Sequence, residues 1–159
     1  MFKRTIIQNE LFEGVMGINE FLTYQETLTI EARQHIALIS ITEPDNNNYV
    51  SDNKVQTIGF ADVIETKFWD VEHPIGDKYL PLSAEQGKEL REFISKNKDK
   101  KFLIHCKAGQ SRSAGCAKAV ECLVKFNGDV YEYRTSPSEI DKFDRYSPNQ
   151  TVFDKIVNS

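Results

Sequence analysis

Hydrophobic residues along the chain fall into short uninterrupted runs and into helical spacings, with polar, turn-forming residues between them. Two uninterrupted runs, residues 35–42 and 101–104, predict buried strands, because they are short and rich in apolar side chains. A weaker run at residues 4–12 predicts an opening strand. Residues 57–60 and 63–69 are expected to form connected extended pieces, the second of them a strand.

Helical spacing of the apolar residues appears in three other places. Residues 17–24 predict a short helix. Residues 83–86 form a capping box, Ser-Ala-Glu-Gln, and start a helix that ends in the charged segment at residues 96–100. Residues 113–124 predict a further helix, which the Asn-Gly pair at residues 127–128 is expected to close.

The C-terminal part of the chain contains two serine-proline pairs, at residues 136–137 and 147–148. Each pair predicts the start of a short helix, since proline is well tolerated in the first turn. The second of these helices is expected to pack Val152, Phe153 and Ile156 against the core.

Strands that alternate with helices indicate an α/β fold with a largely parallel central sheet flanked by helices. A turn-rich polar segment at residues 43–48 ends the first confident strand. The chain shows no internal repeat and no linker, so we expect a single domain over residues 1–159. Ligands in such sheets bind beyond the carboxyl ends of the strands.

Composition narrows the possible functions. Apolar residues make up 40% of the chain and charged residues 28%, which are ordinary globular values. The net charge of −4 argues against nucleic acid as the main partner. There is no apolar stretch of membrane-spanning length and no signal-like apolar segment. We expect the protein to be cytoplasmic and to be a monomer.

The three cysteines are an odd number without the spacing of a small disulfide scaffold, so they suit a reducing cytosol rather than a disulfide framework. Cys116 and Cys122 lie in a predicted helix and are interpreted as small core residues, with a redox partnership with Cys106 as the less favoured alternative. The three histidines are scattered along the chain. We therefore expect neither a metal site nor a cofactor.

The segment at residues 105–113, His-Cys-Lys-Ala-Gly-Gln-Ser-Arg-Ser, carries the strongest chemical signal. A buried strand delivers His105 and Cys106 to its carboxyl end, a turn with Gly109 follows, and a helix then begins. Free backbone N–H groups of such a loop, together with the positive end of the helix dipole, favour an anion. The spacing therefore predicts a site for phosphate or another oxyanion.

The side chains in this segment suit attack on phosphorus. The helix N-terminus and nearby cations favour the thiolate form of Cys106, which is the nucleophilic form. The planar guanidinium of Arg112 can bind two oxygens of a phosphoryl group at once. The hydroxyl of Ser113 can donate a hydrogen bond to the sulfur and ease its departure in a second step.

His-Cys-x5-Arg-Ser resembles the signature of the cysteine-dependent protein tyrosine phosphatases, and the small size suggests their compact dual-specificity branch. The resemblance implies a similar architecture, with the phosphate held by the loop after Cys106. His105 is expected to support this loop rather than to act as a base. Lys107 either widens the positive field toward multiply phosphorylated ligands or contributes only its backbone. The phosphate-binding residues would be Lys107, Ala108, Gly109, Gln110, Ser111 and Arg112.

In that family an aspartate upstream of the cysteine protonates the leaving oxygen. Asp70 is the preferred candidate, because it follows a predicted strand and so falls at the same edge of the sheet as Cys106. Asp62 falls at the opposite end of that strand. The proline that often follows the tryptophan of this loop in the larger tyrosine phosphatases is absent, so Glu72 and Asp77 remain alternatives.

Three aromatic residues near this aspartate, Phe68, Trp69 and Tyr79, either wall a substrate pocket or pack in the core.

The resemblance implies a metal-independent phosphomonoester hydrolase with a phosphocysteine intermediate. We expect its substrates to be phosphotyrosine, phosphoserine or phosphothreonine in proteins, and its rate to peak in mildly acidic solution.

Three other functions stay open. The Lys-Ala-Gly start of the loop is similar to that of some lipid phosphatases, which favours a phosphoinositide or an RNA 5′ end as substrate. Gln110 stands where those enzymes have a second lysine, which argues against this reading. A non-catalytic phosphoprotein-binding domain and a rhodanese-like sulfurtransferase are the other two.

Overall fold

Four parallel strands form the centre of the molecule. The computed structural model describes residues 6–44 and 54–159. The strand order across the sheet is β1-β4-β2-β3, and every neighbouring pair runs parallel. This arrangement confirms the predicted α/β class with a parallel sheet. The strands are β1 (Phe12–Gly17), β2 (Ile36–Thr42), β3 (Asp62–Lys67) and β4 (Lys101–Cys106).

The two central strands, β2 and β4, are buried along almost their whole length, which explains their uninterrupted apolar sequences. Their flanking helices lie on both faces of the sheet. The helices in the described part of the chain are α1 (Ile18–Gln25), α2 (Ile30–Arg33), α3 (Ala84–Lys96), α4 (Arg112–Lys125), α5 (Val130–Arg134) and α6 (Gln150–Val157), with a 3-10 turn at Ile140–Lys142.

Helices α3, α4 and α6 pack against one another and enclose the larger of two apolar clusters, on one side of the sheet. The smaller cluster lies on the other side and includes Ile18 and Phe21 from α1. Gly115 allows α4 to approach the start of α6 closely, because a Cβ at this position would collide with the carbonyl oxygen of Asn149. The buried positions of Val152, Phe153 and Ile156 confirm the predicted core face of α6.

The predictions for α1, α3, α4 and the strands β2, β3 and β4 are confirmed to within a few residues. The opening strand was placed wrongly, since β1 begins only at Phe12, where the predicted strand ends. The side chain of Asn9 accepts hydrogen bonds from the N–H groups of Leu11 and Phe12, and this turn delays the strand. Residues 4 and 5, and most of the turn at 43–48, lie outside the described residues.

Three other local predictions were wrong. Residues 57–60 form a turn rather than an extended piece, with Gly59 at a φ of 88°. Helix α6 begins after Pro148 and not at it, because the side chain of Asn149 caps the helix by accepting from Val152 N–H at 3.2 Å. After the first serine-proline pair, at residues 136–137, only the short 3-10 turn forms.

The sequence prediction missed two short helices, α2 and α5. Each is capped by a side chain that precedes it, Thr29 for α2 and Asp129 for α5. Both helices are too short to show a helical spacing of apolar residues. Their capping residues were therefore the only signal in the sequence, and that signal was not used. None of the helices in residues 6–44 and 54–159 is both long and apolar enough to cross a lipid bilayer.

Candidate active site

The segment predicted to bind phosphate follows one of the two central strands of the sheet. Strand β4 lies between β1 and β2, and Cys106 is its last residue. Cys106 is paired in register with Gly17, the last residue of β1. Residues 106–112, hereafter the signature loop, lead from this edge of the sheet into α4, which begins at Arg112.

Neighbouring segments of the chain hold the signature loop in place by hydrogen bonds to three of its carbonyl groups. Each of these carbonyl oxygens accepts a hydrogen bond from a backbone N–H of another segment, so the carbonyls turn away from the centre of the loop. This is the arrangement that directs loop N–H groups inward, toward an anion. The bonds are Ile18 N–H to Lys107 O (3.1 Å), Ser147 N–H to Gln110 O (2.7 Å) and Asn149 N–H to Ser111 O (3.0 Å).

Gly109 fills a position that other residues cannot fill. Its φ is 73°, in the left-handed region, and a Cβ there would collide with the backbone at Met16 and Gly17. The signature loop therefore rests directly on the end of β1. This close contact explains why the residue in the middle of the motif is glycine.

Cys106 is 2% exposed and lies beneath the loop. Its Sγ is 3.2 Å from Oγ of the buried Ser113, and the N–H of Gly109 donates to the same sulfur at 3.2 Å. The thiol donates to the Ser113 hydroxyl and accepts from the Gly109 N–H, and the hydroxyl can rotate to donate to the sulfur instead. The predicted nucleophile and its predicted hydroxyl partner are thus adjacent.

Arg112 is oriented by two acceptors at the edge of the sheet. Its Nη1 donates to the carbonyl oxygen of Phe68 at 2.9 Å, and its Nη2 forms a 2.7 Å ion pair with Oε1 of Glu43. Both side chains of the pair are less than a tenth exposed. Glu43 was expected only to begin a polar turn and was not among the predicted site residues. Its position directly after β2, at the same sheet edge as Cys106, was the available signal.

Asp70 lies beside the signature loop, at the edge of the sheet where its position after β3 placed it. Its Oδ1 accepts a hydrogen bond from Oγ of Ser111 at 2.8 Å and another from Nδ2 of Asn149 at 3.0 Å. Asn149 was not among the residues singled out from the sequence. An Asn after a proline and before an apolar helix indicates a cap, but not a contact with Asp70.

The other acidic residues considered for the acid lie elsewhere. Glu72 Oε1 accepts from the backbone N–H of Gln150, and Asp77 is exposed in the loop that follows. Asp62 begins β3 at the opposite edge of the sheet, where it contacts Asn97 and Lys96. Of the four carboxylates, Asp70 is therefore the one joined to the signature loop by a hydrogen bond in the described structure.

His105 is buried between the sheet and α1. Its Nε2 is 2.7 Å from Oγ of Ser40 in the neighbouring strand, and its ring stacks on Phe21 with centroids 4.7 Å apart. Burial is the main cause that lowers the pKa of His105 from 6.5 to about 4, so the ring is neutral near pH 7. Contacts of this kind fit the expected supporting role.

Lys107 and Ala108, by contrast, are exposed at the front of the loop.

The aromatic residues near Asp70 divide into core and surface. Phe68 is buried in the larger apolar cluster, and its ring centroid lies 6.0 Å from the guanidinium carbon of Arg112. Trp69 is half-buried and contacts Tyr79 edge to face, with ring centroids 4.9 Å apart. Tyr79 is 39% exposed. These two rings lie in the segment that contains Asp70.

Cys116 and Cys122 are fully buried in α4, as expected for small core residues. Burial raises the pKa of the Cys116 thiol to about 12, which keeps it protonated at physiological pH. In residues 6–44 and 54–159, no three His, Cys, Asp or Glu side chains are grouped to hold a metal ion.

Comparison with known proteins relates the fold to the phosphatases. No protein-family model matches the chain, and no curated protein matches it in sequence. Among solved structures, the PTP-2 phosphatase of Cydia pomonella is similar over 98% of this chain and 90% of its own, with a TM-score of 0.56 and 15% identity. The Yvh1 phosphatase domain from Chaetomium thermophilum is similar over 96% and 92%, with a TM-score of 0.51 and 16% identity.

A third structure, the human tyrosine phosphatase-like serine/threonine/tyrosine-interacting protein, has a TM-score of 0.49 and 15% identity over 90% of this chain and 83% of that one. At such low identity the first two likenesses establish the fold and not the activity. The fold expected from the His-Cys-x5-Arg-Ser motif is confirmed. The chain therefore has the fold of the PTP-2 phosphatase and of the Yvh1 phosphatase domain.

Proposed function

We propose that this protein is a phosphomonoester hydrolase that works through a phosphocysteine intermediate and acts on phosphorylated proteins. One observation carries the proposal. The sulfur of Cys106 lies under a loop that is held from outside by its carbonyls, with Ser113, Gly109 and the oriented guanidinium of Arg112 around it. A nucleophile, an anion cradle and a bidentate cation in one place suit transfer of a phosphoryl group.

In the first step the thiolate of Cys106 attacks phosphorus, the S–P bond forms and the bond to the ester oxygen breaks. Asp70 gives its proton to the departing oxygen, which avoids the release of a basic alkoxide or phenoxide. Loop N–H groups and Arg112 hold the remaining phosphoryl oxygens. These N–H groups and the guanidinium are already in position before the reaction begins, so they need not reorient as the transition state forms.

In the second step water attacks the phosphorus of the phosphocysteine. The carboxylate of Asp70 takes a proton from this water, the S–P bond breaks and inorganic phosphate leaves. Ser113 donates a hydrogen bond to the departing sulfur and so stabilises the thiolate as it re-forms. Each proton that Asp70 gives in the first step is thereby recovered.

Proteins are the substrates we favour, on the resemblance of the His-Cys-x5-Arg-Ser motif to the protein tyrosine phosphatases. Lys107 is exposed at the mouth of the loop, and Gln110 occupies the place of a second lysine. A single loop lysine is a weak attraction for a multiply phosphorylated lipid or a triphosphate end. That the domain acts alone, as a cytoplasmic monomer, stays a prediction.

The first test is hydrolysis of p-nitrophenyl phosphate in the presence of EDTA. Wild type should turn over under these conditions, because the proposed mechanism uses Cys106, Arg112 and Asp70 and no metal ion. Cys106→Ser should lose activity by a factor of about 10³ or more, while Cys122→Ala, a change at a buried cysteine away from the loop, should retain it. Acid quenching during turnover should trap phosphate on Cys106.

Activity that survives in Cys106→Ser, or that needs an added divalent metal, would contradict the proposed mechanism. Substrate class is tested separately with phosphopeptides, phosphoinositides and 5′-triphosphorylated RNA. Phosphopeptides should give the highest kcat/KM. Binding of phosphopeptides without hydrolysis would instead identify a recognition domain, and turnover of thiosulfate would identify a sulfurtransferase.

A further inference from the structure

Both hydrogen bonds that fix the side chain of Asp70 fall on the same oxygen. Ser111 Oγ and Asn149 Nδ2 donate to Oδ1, at 2.8 and 3.0 Å. Within the described structure, no hydrogen bond of Asp70 falls on Oδ2. A carboxyl group that accepts two donors on one oxygen holds a proton more favourably on the other, because a proton on the first would face two donor hydrogens.

Asn149 is placed to act on Asp70 and not only on its own helix. It is 3% exposed. Its Oδ1 accepts from Val152 N–H at 3.2 Å, which caps α6 and fixes the orientation of the amide. The Nδ2 group then points at Asp70 Oδ1, at 3.0 Å, and at the carbonyl oxygen of Val71, at 3.3 Å.

The backbone of Asn149 also supports the phosphate site. Its N–H donates to the carbonyl oxygen of Ser111, the residue whose hydroxyl is the second donor to Asp70. One residue thus contacts the acid, the segment that carries the acid and the signature loop. Thr151, in the first turn of the same helix, donates to the carbonyl oxygen of Glu72 at 2.8 Å and ties down the continuation of that segment.

We propose that Asn149 and Ser111 are positioning residues that hold Oδ1 of Asp70, so that the proton delivered to the leaving group resides on Oδ2. The inference rests on the proposed function, in which Asp70 is the general acid. Its physical basis is that proton transfer needs the donor atom within hydrogen-bond reach of the leaving oxygen, in one fixed orientation. Asn149 fits the task because an amide accepts from the helix and donates to the carboxyl group at once.

The competing explanation is that Asn149 only caps α6. Asn149→Ser separates the two roles, since serine is a good cap but is too short and has no amide to donate to Asp70. Ser111→Ala removes the second donor independently, away from the cap. Ser83→Ala is the matched control, because it removes the side-chain cap of α3, which packs on α6, without touching the site.

The readout is the rate for two substrates that differ in leaving group. Phenyl phosphate releases a basic phenolate and needs the acid, whereas p-nitrophenyl phosphate releases a stabilised one and needs it less. Asn149→Ser and Ser111→Ala should each lower kcat for phenyl phosphate about tenfold, and for p-nitrophenyl phosphate about twofold or less. Ser83→Ala should lower the melting temperature and leave the ratio of the two rates unchanged. In an Asp70→Asn background, the selective loss from Asn149→Ser should disappear.

Equal losses on both substrates in Asn149→Ser and Ser111→Ala would overturn the positioning role and leave Asn149 as a cap. Should Asp70→Asn itself show no preference between the leaving groups, Asp70 is not the acid and the inference fails, while the hydrolase proposal stands. A wild type that hydrolyses neither substrate would instead end the proposed function, and the inference with it.

Discussion

At the scale of single residues, Glu43 decides where the cation of the site points. Arg112 has a long side chain, and a free guanidinium would have many orientations. The ion pair with Glu43 and the bond to Phe68 O remove that freedom before any substrate binds. A buried charge is tolerated only when it is paired, so each member of this pair depends on the other.

We expect Glu43→Gln to lower the free energy of unfolding by about 1–3 kcal/mol, because it leaves a buried guanidinium without its counter-charge. It should also lower kcat/KM for p-nitrophenyl phosphate at least tenfold, since Arg112 loses its fixed orientation. Urea unfolding and steady-state kinetics measure the two effects. Asp99→Asn, which removes an exposed ion pair with Lys100, is the control and should leave both quantities close to those of wild type. If the two variants behave alike, Glu43 does not orient the cation.

At the scale of elements, the signature loop depends on three neighbours. The end of β1, the start of α1 and the segment before α6 each donate backbone hydrogen bonds to it or lie against it. The connection from β1 to α1 is itself tied down, because Glu20 accepts from Gly17 N–H and forms an ion pair with Arg145. The shape of the loop is therefore set by packing between elements, and Gly109 is where that packing is tightest.

Gly109→Ala should abolish hydrolysis of p-nitrophenyl phosphate and lower the free energy of unfolding by roughly 2–4 kcal/mol, because the new Cβ collides with the end of β1 and the residue is strained at positive φ. Gly76→Ala separates the two causes. Gly76 also has a positive φ, of 64°, but a Cβ there would have no atom within 4 Å. This control should lose only about 1–2 kcal/mol and keep its activity. Equal effects of the two substitutions would show that the contact with β1 does not shape the loop.

At the scale of the whole molecule, His105 couples the site to the stability of the fold. It joins β4 to β2 through Ser40 and to α1 through Phe21. Because burial lowers its pKa to about 4, the unfolded chain binds a proton at this residue between about pH 6.5 and pH 4, and the folded chain does not. Its contribution to stability is thus fully present above pH 6.5 and is lost as the pH falls.

Between pH 7.5 and pH 5, this single group should reduce the free energy of unfolding by about 2 kcal/mol. We expect His105→Gln, which cannot titrate, to lack that part of the decrease, so that its stability approaches that of wild type as the solution becomes more acidic. Urea unfolding of both proteins at the two pH values measures the difference. A constant difference between the two proteins at both pH values would show that His105 is not held neutral by the fold.

Much of the fold followed from local patterns. The apolar runs of β2 and β4, the capping box of α3 and the glycine in the signature segment each express a constraint within a few neighbouring residues, so they were visible in the sequence. The start of β1 could not be seen in this way, because Asn9 forms a turn within the apolar run and the strand begins only after it. The beginning of α6 was misplaced for a similar reason, since Asn149 and not Pro148 satisfies its first N–H groups.

Cys106, Arg112 and Ser113, to which we assign the proposed chemistry, could be found from local sequence alone, because a strand, a tight turn and a helix start bring them together within a few residues. The groups that orient these side chains emerged only from the three-dimensional packing. Glu43 and Arg112 are 69 residues apart in the chain, and Asp70 and Asn149 are 79 apart. Contacts of that range depend on strand order and helix packing, which no local pattern encodes.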